Sequence, residues 1–148
     1  MSTPTIALPA GYAFSADPAR LDHPRVHELL TSYAFWAADR TRAVQEAVIA
    51  GSRNYGVYSE AGEQVGYARV VTDAVTFAWL ADVVVDLAHR GRGLGHALVA
   101  GVVADLEPLG LRRVALKASD EGRRVYEKLG WTPLVEAETW MERRASTS

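Results

Sequence analysis

The chain has 148 residues, 49% apolar and 23% charged, with a net charge of −2, which suits one domain with a core and is too short for two of ordinary size. That charge gives no electrostatic case for nucleic acid or an anionic membrane as the main partner. The absence of cysteine excludes disulfides, thiolate metal sites and a cysteine nucleophile, and fits a reducing cytosol.

In chain order, MSTPTIALPAGYAF has neither a basic n-region nor a long apolar core, so it does not read as a signal peptide. No apolar run approaches the roughly 18 residues of a membrane helix. The expectation is a cytoplasmic, single-domain protein over 1–148, frayed near both ends where small and polar residues bury little. YAFSAD is a short strand. DHPRVHELLTSY makes a first helix with a proline near its start. TRAVQEAVIAG makes a second, in which Val44, Val48 and Ile49 keep helical spacing and Gly51 suits the C-terminal cap. YGVYSEAGEQVGYARVVT reads as a β-hairpin turning at Ala61-Gly62, and FAWLADVVVD as a buried strand of a sheet.

After RGRGLG, the residues Leu94, Leu98, Val102, Leu106 and Leu109 form an amphipathic stripe that Pro108 and Gly110 end. RRVALKA is a strand. SDEGRRVYEKL is a helix with Ser119 or Asp120 at its N-cap, and ETWMER is a last strand. Two helices, a meander, and then strand–helix–strand–helix–strand predict a mixed α/β fold around a largely antiparallel sheet.

The stretch RGRGLG is the most informative. Each of Gly91, Gly93 and Gly95 weakens a helix by up to about 1 kcal/mol relative to alanine, so the glycines need a reason. A strand, a glycine turn and a helix start make an anion site, because first-turn amides lack internal partners and the helix dipole adds positive potential. Arg90 and Arg92 add charged donors at the rim. A nucleoside triphosphate loop is excluded because no lysine follows the glycines, and a dinucleotide fingerprint because His96 stands at its third glycine. The bland alternative is a turn that merely needs glycine.

With these residues in view, VVVDLAHRGRGLGHAL resembles the acetyl-coenzyme A (acetyl-CoA) motif of the GNAT N-acetyltransferases, with Arg90, Gly93 and Gly95 at its fixed positions. Further on, VYEKLGW resembles that family's second motif, a helix carrying a tyrosine and ending in glycine and an aromatic. The hairpin and following strand look like a bacterial branch of uncertain substrate. The resemblance implies a mostly antiparallel sheet of about six to seven strands, splayed at a parallel pair and flanked by about four helices.

It also implies roles. Peptide groups at Val83, Val84 and Val85 would meet the pantetheine arm, and amides from Arg90 through Gly91, Arg92, Gly93, Leu94 and Gly95 to His96 the pyrophosphate. Tyr126 is the expected acid for the departing thiolate, with core packing as the plain alternative. Asp82 is a candidate base or amine anchor, since a carboxylate within LADVVV needs work or a partner; a structural hydrogen bond or a water chain are the alternatives. Tyr33, Phe35 and Trp36 could wall an apolar acceptor pocket or hold a cationic amine by ring faces. Ser119 stands where many relatives carry asparagine, and Gly122 where alanine is common, so Ser119 either contacts the cofactor or caps the helix.

No metal is expected: His23 and His27 lack the glutamate and third ligand of a zinc helix. The expected partner is a small-molecule or peptide amine, with a homodimer possible. The rivals are a non-catalytic CoA-binding module for sensing or assembly, and a nucleotide-binding domain.

Overall fold

The computed structural model describes residues 8–146. Five strands lie side by side in chain order: β1 (Ala13–Ser15), β2 (Arg53–Tyr58), β3 (Gln64–Thr72), β4 (Phe77–Val85) and β5 (Arg113–Leu116). The first four pair antiparallel, whereas β4 and β5 are parallel. The helices are α1 (His23–Tyr33), α2 (Arg42–Ala50), α3 (Leu94–Leu106) and α4 (Arg123–Lys128). The mixed α/β architecture and the four helices agree with expectation. The sheet has five strands among the described residues, not six to seven.

Local chemistry explains the starts of the first two helices. Asp22 accepts from the Arg25 amide and places Pro24 in the first turn of α1, and Thr41 accepts from the Val44 amide to start α2. The buried stripe of α2 runs through Gln45 and Ile49, leaving Val44 half exposed. Of the three spaced residues Ile49 is buried and Val48 half-buried, and only Val44 lies off that face. Gln45 is drawn inward because its Oε1 accepts from Arg40 Nη1 at 3.1 Å.

Each face of the sheet carries a core. On one, Val57, Ala68, Val70, Ala78 and Leu80 pack against Leu94, Leu98, Val102 and Leu106 of α3. On the other, Tyr67 and Val84 pack against Val26, Leu29 and Leu30 of α1 and Ile49 of α2. Leu98 is fully buried, and its truncation to alanine should cost about 2–5 kcal/mol.

Two irregularities in β4 position everything that follows. Its ladder with β5 ends at Leu80 opposite Leu116, while β4 itself continues to Val85. Residues 81–85 therefore leave the parallel pair with one edge free of β5. On its other side, Tyr67 faces Val84 and Arg69 faces Ala81, so β4 holds one residue more than β3. This is a β-bulge, and Asp82 occupies it with φ +54°, in the left-handed region that few non-glycine residues enter. Because side chains alternate with period two, one extra residue exchanges the faces. Ala78 and Leu80 point toward α3; beyond the bulge it is Val83 and Val85 that do so, and Val84 turns to α1.

The C-terminal segment departs from expectation. ETWMER forms no strand: Ala137–Thr139 is a 3-10 turn that follows Glu136 at φ +57°. Trp140 is satisfied without a ladder, by Phe77 at 6.4 Å between ring centres and by the Arg113 guanidinium 5.0 Å over its ring. Helix α4 also starts later than expected. Ser119 Oγ accepts from the Gly122 amide at 3.1 Å and holds a turn before it, so the serine shapes the approach to the helix without being its N-cap.

Candidate active site

The glycine turn lies between the end of β4 and the start of α3. Gly91 and Gly93 have φ +80° and +77°, and Gly93 is the N-cap of α3 in the left-handed conformation with no side chain capping it. The first-turn amides of Leu94, Gly95 and His96 precede the first helical bond, which runs from Ala97 N to Gly93 O. Gly95 differs from its neighbours. Its backbone is ordinary helix, and a Cβ there would meet only Val85 Cγ2, at 4.0 Å. What such a side chain would occupy is a cleft.

That cleft has a volume of about 580 Å³ and runs from the free edge of β4 at Val83, Val84 and Val85, past Arg90 and Gly95, to Tyr126. Its floor is the diverged strand and one wall is the naked start of α3, so it presents unpaired strand edge and helix amides along one line. Arg90 Nε donates to Val85 O at 3.1 Å, so this carbonyl is already engaged within the chain. Arg92 turns outward, donating to Tyr12 Oη at 2.6 Å.

A second cavity, of about 360 Å³, opens on the other side of Tyr126. Phe35, Trp36, Val83, Ser119 and Tyr126 border both cavities, which makes the phenol a shared partition. Among the described residues the Tyr126 hydroxyl has no hydrogen-bond partner, although its ring packs at the core edge against Trp131. Burial pushes its phenol above the ordinary tyrosine value, so it stays protonated at neutral pH.

Asp82 forms the polar end of the second cavity. Its Oδ2 accepts from Arg40 Nη1 at 2.8 Å and Arg69 Nε at 2.7 Å, and its Oδ1 accepts from Trp36 Nε1 at 2.8 Å. Burial alone would raise this carboxyl, but the three donors outweigh it and hold it below the usual aspartate value. The group is ionised, saturated with donors and weakly basic. Of the alternatives open from sequence, a structural hydrogen-bonding role fits this geometry best.

The aromatic trio divides. Phe35 and Trp36 stand edge to face at the mouth of both cavities, 5.1 Å between centres. Tyr33 borders only the cleft, and its hydroxyl donates to Asp86 Oδ1 at 3.2 Å. Asp86 also holds Arg25 and accepts from the Ala88 amide, bracing the approach to the glycine turn. Ser119 borders both cavities and keeps its own proton available.

Sequence reasoning missed Arg40, Arg69, Lys117 and Trp79, which also line the second cavity. A signal existed for Arg69, a cation within the apolar strand YARVV, as unexpected there as Asp82 in its own strand. Arg40 sits in a loop with nothing local to mark it. The candidate metal pair is otherwise occupied: His23 pairs with Glu46 at 2.7 Å and His27 Nε2 meets the Arg40 carbonyl at 2.6 Å. No group of three or more potential ligands for a metal occurs among the described residues, and no helix among them is long and apolar enough to cross a membrane.

Comparison with known proteins bears directly on this arrangement. The model of the acetyltransferase (GNAT) domain matches residues 28–142. A crystal structure assigned to the GNAT acetyltransferases, from Xanthomonas campestris pv. campestris, superposes with a TM-score of 0.84 at 37% identity, covering 94% of this chain and 96% of that one. A Gibberella zeae protein assigned as an acetyltransferase is 30% identical over 80% of this chain and 78% of its own length. A Prochlorococcus marinus protein, an uncharacterized N-acetyltransferase of the ycf52-like type, is 30% identical over 82% of this chain and 69% of its own.

Proposed function

Since this chain belongs to the acetyltransferase (GNAT) family and is an N-acetyltransferase, we propose that its two joined cavities divide the reaction between them. The cleft along β4 and the start of α3 takes acetyl-CoA, and the cavity beyond Tyr126 takes a primary amine. The thioester supplies the activated acetyl group; the chain supplies position, dryness and a proton.

The residues fit that cosubstrate. Peptide groups at Val83 and Val84, on the edge that β5 has left, would hold the pantetheine arm, and the amides from Gly91 to His96 the pyrophosphate. Gly95 keeps the cleft clear, since any larger side chain there would enter it. Tyr126 Oη, free of other partners and kept protonated by burial, gives its proton to the departing sulfur. With no cysteine in the chain, the acetyl group passes to the amine without a cysteine-bound intermediate.

Asp82 we assign as a positioning residue. It fixes Trp36, Arg40 and Arg69 around the acceptor. The cations around it favour the neutral form of a nearby amine, the form that attacks, and water carries away the amine proton.

The observation that carries this reading is the single unpartnered phenol where the two cavities meet. Tyr126→Phe tests it. Turnover with any accepted amine should fall by about 10²-fold or more, while acetyl-CoA affinity measured by calorimetry stays within about twofold. Equal losses in both would remove the acid role.

A further inference from the structure

We propose that the acceptor carries an anionic group, a carboxylate or phosphate, on a flat apolar body beside its reactive amine. This rests on the assignment of the second cavity to the acceptor. Three cations line that cavity, Arg40, Arg69 and Lys117, against one carboxylate, Asp82. The carboxylate is spent: its side chain is only 2% exposed and both oxygens are engaged from within the chain. A cationic ligand therefore finds no free anion there.

The guanidiniums are not spent. Arg40 gives Nη1 to Asp82 and Gln45, which leaves Nε and Nη2 without an acceptor among the described residues. Arg69 gives Nε to Asp82 and a long 3.4 Å contact from Nη1 to Ser52, which leaves Nη2. Neither set of remaining donors is sealed from solvent, since the only buried side-chain polar atom without a partner among the described residues is Gln45 Nε2. The free Nε and Nη2 of Arg40 form a planar fork that matches the paired oxygens of a carboxylate or phosphate, and Arg69 Nη2 adds a further charged donor. Both arginines are also pre-aimed, because Asp82 and Gln45 hold them and little side-chain freedom is left to lose on binding.

Aromatic rings form the apolar half of the cavity. Trp36 is locked by its hydrogen bond to Asp82, and Trp79 and Phe35 line the same space. Aromatic faces next to a cationic pocket select a planar body with an acidic end.

The test uses compounds that cannot be acetylated, so that binding is read apart from turnover. The full-length protein saturated with CoA is titrated calorimetrically with 4-methylbenzoate, indole-3-acetate and phenyl phosphate, each beside its neutral amide or alcohol counterpart. At least one acid should bind tenfold or more tightly than its counterpart, and which one does so tells carboxylate from phosphate. Lys117→Gln, at an exposed position, should lower that ratio severalfold without affecting the fold, and Arg69→Gln should abolish it. Equal affinities for all three pairs, or no measurable binding of any acid, overturn the inference. Amine-dependent thiol release in the same preparation judges the acetyl-transfer assignment separately, because it does not depend on which acids bind.

Discussion

Gly93 and Gly95 stand two residues apart and are glycine for opposite reasons, which a pair of substitutions separates. At Gly93, φ is +77° and a Cβ meets nothing within 4 Å. Alanine there is held in the left-handed region at about 1–2 kcal/mol, and a stiffer unfolded chain returns about 0.4–1 kcal/mol of that. The net loss is about 1 kcal/mol. Gly95 lies in ordinary helix with Val85 Cγ2 at 4.0 Å as the nearest neighbour. Alanine or leucine there should stabilise the ligand-free protein by up to about 1 kcal/mol through helix propensity, a rise of roughly 2–4 °C in Tm for a chain of this size. The same side chain enters the cleft between the strand and Tyr126. Gly95→Leu should therefore weaken acetyl-CoA binding at least ~tenfold, equivalent to about 1.4 kcal/mol. Urea unfolding followed by the fluorescence of the four tryptophans reads stability, and calorimetric titration with acetyl-CoA reads affinity. If Gly95→Leu binds as tightly as the parent, or unfolds as readily as Gly93→Ala, Gly95 has no ligand to make room for.

Asp82→Ala leaves Arg40 and Arg69 confined without their counter-charge and should cost about 3–5 kcal/mol in denaturant unfolding; a loss below about 1 kcal/mol would show the cluster to be incidental. Since the folded Asp82 carboxyl lies below its unfolded value, its contribution is complete above about pH 4 and is lost as pH falls toward the lower folded value. The acid limb of the stability curve should be shallower in Asp82→Asn, and an unchanged limb contradicts the assignment. Asp86→Ala frees Arg25 and Tyr33 and removes an acceptor for the Ala88 amide, for an expected loss of about 2 kcal/mol by the same unfolding assay. Turnover that depends on the protonated Tyr126 phenol should decline only above the ordinary tyrosine value of about 10, and the Tyr126→Phe profile should lack that decline.

What could be read from the chain was whatever physics acts locally. The glycine turn is such a case, because positive φ at Gly91 and Gly93 and bare amides at a helix start follow from a few adjacent residues. Asp82 was conspicuous for the same reason, a charge within an apolar strand. Its partner Arg40 was not, because it arrives from a loop and the bulge that turns Asp82 toward it is a matter of pairing between strands. Gln45 was overlooked for Val44 because helical spacing ranks residues by hydropathy and cannot register an amide held inside by an arginine. The expected last strand failed for a further reason: an aromatic flanked by charges suits a strand, but Trp140 finds Phe77 and Arg113 without pairing its backbone.

The odd residue of β4 has a consequence for how this chain can vary. Substitutions can retune either cavity separately, since each has side chains of its own. Losing a single codon between Ala81 and Val83 cannot be compensated in that way. It would remove Asp82 itself, bring the strand into plain step with β3 and leave Arg40, Arg69 and Trp36 without their common acceptor, while Val83, Val84 and Val85 kept their faces. The amine pocket would fail while the thioester cleft kept its valine edge, so the extra residue of this strand serves the acceptor side alone.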